Sequence, residues 1–132
     1  MTKQELRAFR GQAREIAQLK ESLDRMRDEI GPKGTDFSAV NVQNSGNSSP
    51  VESFVLGYLE LEQRYRDKLI IYYEERARIE DAITILTPNE RAVIRSYYLD
   101  RMTWEETAYK LHFSYPHTHR IHAAALKKLE EE

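Results

Sequence analysis

The chain has 132 residues, 40% of them hydrophobic and 32% charged, with a net charge of −2 and no cysteine. That length allows one compact domain, or a small domain joined to an extended helical segment. Disulfides and thiolate metal sites are excluded, and no apolar run approaches the roughly 18 residues that a membrane span needs.

The first predicted element covers residues 2–30. Phe9, Ile16, Leu23 and Ile30 recur every seven residues, with Leu6 and Ala13 flanking the row on one side and Leu19 and Met26 on the other. Such spacing gives an amphipathic helix with one apolar face. Thr2 and Glu5 have the S/T-x-x-E spacing of a capping box, in which hydroxyl and carboxylate each satisfy a backbone N–H that the helix start leaves unpaired. Gly31-Pro32 ends the helix, because Pro lacks the N–H and restricts the residue before it. The opening MTKQELRAFRGQ has no apolar signal-peptide segment, so the cytoplasm is the expected compartment.

Residues 31–50 read as a polar linker rich in Ser, Asn and Gly, with Phe37, Val40 and Val42 as candidates for a locally packed extended piece. The longest element is predicted from Pro50 to Leu86, opened by a second box at Ser49 and Glu52. At about 1.5 Å per residue it would be roughly 55 Å long. Val51, Tyr58, Tyr65, Tyr72, Ile79 and Leu86 repeat every seven residues, and Val55, Leu69 and Ile83 form a companion row that Glu62 and Arg76 interrupt. Polar residues at such places fix register or partner choice, and the tyrosine hydroxyls need partners. Sustained heptads call for a helical partner, which the first helix supplies by folding back antiparallel. Ile70, Ile71 and Tyr73 are left over, which points to a homodimer through this helical arm.

From Leu86 to Leu129 the pattern is of three short helices. Thr87…Glu90 and Thr103…Glu106 are two further capping boxes, with Pro88 at the first helical position. The last two helices meet at His112-Phe113-Ser114, a tight joint that marks a helix-turn-helix. Ala108 is expected where they cross, with Thr107, Leu111, Phe113, Thr118 and Ile121 facing inward. His112 takes the positive-φ place for which Gly is the easiest choice. Ser114 caps the final helix, but His117 replaces the usual Glu and Pro116 lies in the first turn. An acid there would sit near a phosphate backbone, so its absence suits nucleic-acid binding.

The expected fold is therefore all-α. A long antiparallel helical hairpin, a coiled-coil-like arm with the linker at 31–50, occupies residues 1–86, and a three-helix helix-turn-helix domain occupies 87–132. Little else suggests chemistry. His112, His117, His119 and His122 lie close together, yet no Cys or well-spaced carboxylate completes a metal site. Pairs such as Glu74-Glu75 and Glu105-Glu106 read as solvated faces, and Trp104 and the tyrosine row read as core. No phosphate loop or nucleophile motif is present, so neither an enzyme nor a cofactor is expected. Between Thr87 and Glu132, seven Lys/Arg are balanced by seven Asp/Glu. Phosphate neutralisation supplies much of DNA affinity, so this module should bind weakly without avidity or a partner.

LTPNERAVI resembles the opening helix of region four of bacterial sigma factors, the part that reads the −35 promoter element. TWEETAYKL is similar to its first motif helix, and RIHAAALKKL to its recognition helix and tail. With the linker and heptad helix ahead of it, the chain resembles small phage-encoded transcription regulators with sigma-like C-termini, the late-gene activators of the RinA/ArpU kind. The resemblance implies a regulator in the bacterial host cytoplasm that places the helix after Ser114 in the major groove of double-stranded DNA. Host RNA polymerase is a second implied partner, and a membrane is not one. Carried over by position, the DNA-contacting residues are Tyr115, Pro116, His117, His119 and Arg120, with Lys127 and Lys128 near the backbone. Sigma factors are rich in Arg and Glu at these places, whereas here Arg120 is the one strong base reader. No counterpart of the sigma region that grips polymerase and melts DNA is present, so a complete sigma factor is not expected. Two alternatives fit the same pattern: a small-terminase-like packaging adaptor, which forms rings, and a protein-only interaction module.

Overall fold

In a computed structural model of the chain, residues 1–30 and 49–131 are described, and the linker expected at 31–50 lies outside them except for Ser49 and Pro50. Every regular element among the described residues is helical: α1 (Lys3–Ile30), α2 (Pro50–Ala82), a 3-10 turn (Ile83–Ile85), α3 (Pro88–Ile94) with a π-helical turn (Arg95–Leu99), α4 (Trp104–Leu111) and α5 (Tyr115–Glu130). The all-α expectation holds.

The helix starts follow the caps read from the sequence. Ser49 Oγ accepts from the Glu52 N–H at 2.9 Å, and the Glu52 carboxylate accepts from the Ser49 N–H at 3.4 Å. Thr87 with Glu90 and Thr103 with Glu106 make the same reciprocal pair. Thr2 Oγ1 accepts from the Glu5 N–H, and Ser114 Oγ from the His117 N–H, each at 3.2 Å. A side-chain cap is worth about 1 kcal/mol.

Two boundaries differ from the sequence reading. The second long helix stops at Ala82, four residues before Leu86, and tightens into the 3-10 turn. The tighter turn leaves Ile83 and Leu86 both buried. The helix after Thr87 does not stay regular either: the Asp100 N–H bonds to Arg95 O at 2.9 Å, an i to i+5 bond. In this wider turn the Tyr97 and Leu99 carbonyls accept from Arg10 and Arg76 rather than from a helical N–H. Tyr98 and Leu99 are both buried there.

The chain divides into two compact units, one of Met1–Glu15 with Ile71–Glu132 and one of Ile16–Ile70. The first holds the main core: Leu6, Phe9, Ile79, Ile83, Leu86, Ile94, Tyr98, Leu99, Ala125 and Leu129. Burying a side chain of this size contributes about 1.5–3 kcal/mol, so this cluster dominates the unit's stability. Phe9 stacks on Tyr72 with centroids 4.9 Å apart, and Glu5 lies 3.7 Å from Arg78, so α1 and α2 run antiparallel as expected. Arg76 gives its guanidinium to the Tyr72 hydroxyl at 3.1 Å, the Leu99 carbonyl at 3.4 Å and Asp100 at 3.5 Å. Its interruption of the apolar row thus ties α2 to the π-helical turn.

In the second unit Leu23 is buried, and the polar break in the heptad row again has partners. The Tyr58 hydroxyl donates to Glu62 at 3.2 Å and accepts from Arg27 Nε at 3.3 Å, while Glu62 also pairs with Arg66. Leu56, Leu59 and Ile70 of this unit are exposed, as are Ile71 and Tyr73 of the first. The leftover apolar surface foreseen on this helix is therefore present.

Candidate nucleic-acid interface

The helix-turn-helix is built around small and short side chains. Ala108, Thr107 and Thr118 are buried at the meeting of α4 and α5, and the Thr118 hydroxyl donates to Ser114 O at 2.9 Å. His112 has φ 59° and ψ 38°, the left-handed conformation foreseen for it. The reversal returns the Phe113 N–H to Ala108 O at 3.0 Å and so satisfies a carbonyl at the end of α4. Leu111, Phe113 and Ile121, expected to face inward, are half-buried.

Along α5, Thr118, His122, Ala125 and Leu129 face the core. Helical spacing puts Pro116, Arg120, Ala123, Ala124 and Lys127 on the opposite side, and all five are exposed. Arg120 and Lys127 make no ion pair or hydrogen bond among the described residues, and the alanines between them leave a low strip. A cylinder with such a strip fits a major groove about 12 Å wide.

The seven residues expected to contact DNA divide into two groups. Tyr115, Pro116, Arg120 and Lys127 are exposed, and half-buried His117 lines a groove with Arg120, Ile121, Ala124 and the start of α3 at Thr87, Asn89 and Glu90. His119 is directed elsewhere: its ring lies 4.5 Å from both Trp104 and Tyr115, and its Nε2 is buried with no hydrogen-bond partner. Lys128 is also committed, with Nζ 2.7 Å from the Glu90 carboxylate. Burial pushes the Glu90 carboxyl upward, but Lys128 and the Thr87 bonds outweigh it and hold it below its ordinary value. Arg95 grips Glu80 through two bonds of 3.0 and 2.8 Å, and Arg91 donates to Thr84 O. Of the seven cations between Thr87 and Glu132, Arg101, Lys110, Arg120 and Lys127 have no such partner among the described residues.

Sequence reasoning missed two features of the support. Arg10 of α1 donates to Tyr97 O at 3.0 Å and Met102 O at 3.2 Å, with its guanidinium 4.3 Å over the Tyr97 ring, which in turn stacks on Trp104 at 3.8 Å. Nothing in the spacing of α1 pointed to carbonyls that far along the chain. The second is His122, grouped with the other three histidines in the sequence but buried in the structure, its Nε2 2.8 Å from the Tyr98 hydroxyl. Burial, helped by the positive charge of Lys3, pushes His122 down to about 4, and burial pushes the Tyr98 hydroxyl up to about 12. Its place in the row Thr118, His122, Ala125, Leu129 was the available signal.

Among the described residues no group of three or more His, Cys, Asp or Glu is placed to hold a metal, and no helix is long and apolar enough to cross a membrane. No curated protein and no solved structure matches the chain. Residues 82–131 match the family model for Sigma-70, region 4, so the segment forming α3, α4 and α5 is a sigma-region-four-like helix-turn-helix, a module of the DNA-binding rather than the enzymatic type.

Proposed function

We propose that the protein is a DNA-binding transcription regulator that lays α5 in the major groove. The observation carrying this reading is the exposed strip of Pro116, Arg120, Ala123, Ala124 and Lys127, with two unpaired cations on the outward side of the motif's second helix. Arg120 reads base edges, because its planar fork matches guanine O6 and N7. Tyr115, Pro116 and His117 meet the backbone at the leading end of α5, and Lys127 meets a phosphate further along. His119 and Lys128 act as positioning residues, His119 by fixing Tyr115 against Trp104 and Lys128 by tying α5 to α3 through Glu90.

The finer reading is a phage late-gene activator in the bacterial cytoplasm that works with host RNA polymerase and dimerises through its helical hairpin. Exposed Leu56, Leu59 and Ile70 support self-association, since large apolar side chains grouped on one helix flank gain from being covered. The test is binding by parent and variants to a randomised duplex library. Arg120→Ala is expected to relax base preference at one position, with about 1–3 kcal/mol of discrimination lost. Lys127→Ala is expected to weaken all sequences alike. Parental binding by both variants would refute the placement of α5.

A further inference from the structure

Outside the helix-turn-helix, α1 carries a row of cations. Lys3, Arg7, Arg10 and Arg14 fall at spacings of four, three and four, which places them on one helical face, and the acids of this stretch, Glu5 and Glu15, fall off it. Several contacts fix where the face lies. The N-terminal ammonium is 3.5 Å from Leu129 O, at the far end of α5. Lys3 and Arg7 are close enough to His122, midway along α5, for their charges to disfavour its protonation. Arg10 binds Met102 O, one residue before the Thr103 cap of α4. The row of cations therefore runs from the end of α5 toward the start of α4, and Arg14 lies one turn beyond Arg10.

In a docked helix-turn-helix the first motif helix crosses the DNA backbone while the second enters the groove. The row passes behind α5 at its Lys3 end, beside Leu129 and His122, and its Arg14 end, past the start of α4, is the end that approaches the phosphates flanking the groove. Arg10 is occupied by carbonyls and holds α1 in place. Lys3, Arg7 and Arg14 have no ion pair or hydrogen bond among the described residues, and Arg7 and Arg14 are exposed.

We propose that Lys3, Arg7 and Arg14 form a second contact surface for the phosphate backbone of duplex DNA, continuous with the helix-turn-helix but outside its residues 82–131. The inference rests on the reading of α5 as the groove helix. It explains how a motif with balanced charge acquires affinity, since the N-terminal helix provides the electrostatic share and α5 the sequence share.

The experiment compares the 132-residue parent, the Arg7→Gln/Arg14→Gln double variant and Lys127→Ala on one duplex across a salt series. Both arginines are exposed, so the double variant should keep its parental circular dichroism. Each lost phosphate contact lowers the slope of log affinity against log salt by about 0.9. Two lost contacts therefore lower it by about 1.8, and between 50 and 200 mM salt the parent loses about 12-fold more affinity than the double variant. Base preference is expected to stay parental. A parental slope in the double variant, with a lowered slope in Lys127→Ala, overturns the second surface while leaving α5 in its groove, and assigns the basic row to an acidic protein partner. No duplex binding by the parent overturns both readings.

Discussion

His122 makes stability depend on pH in a window that few other groups reach. Its imidazole is buried on the core side of α5, bonded to the Tyr98 hydroxyl at 2.8 Å, and its proton affinity is depressed from 6.5 to about 4. The sign follows from linkage. Below pH 6.5 the unfolded chain takes a proton at His122 that the folded chain refuses, so protonation favours unfolding. The stabilisation is complete above pH 6.5 and is lost as pH falls toward 4. The gap between 6.5 and about 4 corresponds to about 3 kcal/mol in full, of which about 2 kcal/mol disappears between pH 7 and pH 5. Glu80 and Glu90, held below their ordinary value of 4.5, lose their contributions as pH falls below about 4.5, under the interval from pH 7 to pH 5 used here. The assay is urea denaturation at pH 7 and pH 5 for the parent and for His122→Gln, which keeps a bonding group near Tyr98 but does not titrate. The parent should lose about 2 kcal/mol more than the variant over this interval. Equal losses would refute the buried, neutral imidazole.

Further predictions concern the turn, the brace and the assembly. His112→Gly is expected to stabilise the fold by about 1 kcal/mol in the same assay, because it removes a Cβ from a left-handed residue; a lower stability would contradict the turn geometry. Arg10→Ala should cost about 2–3 kcal/mol through the loss of two charge-assisted bonds and the contact over Tyr97. Arg10→Lys should rescue little of that loss, since an ammonium cannot span both carbonyls as a planar fork does. Static light scattering on the 132-residue chain should report a dimer, whereas a ring of eight or more subunits would favour a packaging adaptor.

Where function depends on local rules, the sequence was highly legible. Each S/T-x-x-E spacing became a helix cap because the interaction is closed within four residues. His112 was legible for the same reason, as a short joint between helices demands one left-handed residue. The antiparallel pairing of α1 and α2 followed from periodicity. What escaped were contacts whose partners are far apart in sequence: Arg10 with Tyr97 and Met102, Arg76 with Leu99, and Lys128 with Glu90. In α5, position alone named seven contact residues, but whether a side chain faces DNA or its own module depends on neighbours. Trp104 draws in the His119 ring, and buried Glu90 draws in Lys128. The π-helical turn was invisible because RSYYL has nothing that forbids a regular helix; the wider turn is stabilised by long-range partners.

The central claim is that the outward side of α5 lies in the major groove, and the chain offers a direct probe because it contains no cysteine. Arg120→Cys, labelled with an iron chelate that cleaves DNA by locally generated radicals, is incubated with a bound duplex, and the cuts are mapped on both strands. The prediction is one cluster of cuts whose offset between strands is that of a major-groove source. Absence of cutting in the bound complex, or an offset typical of the minor groove, would contradict the account.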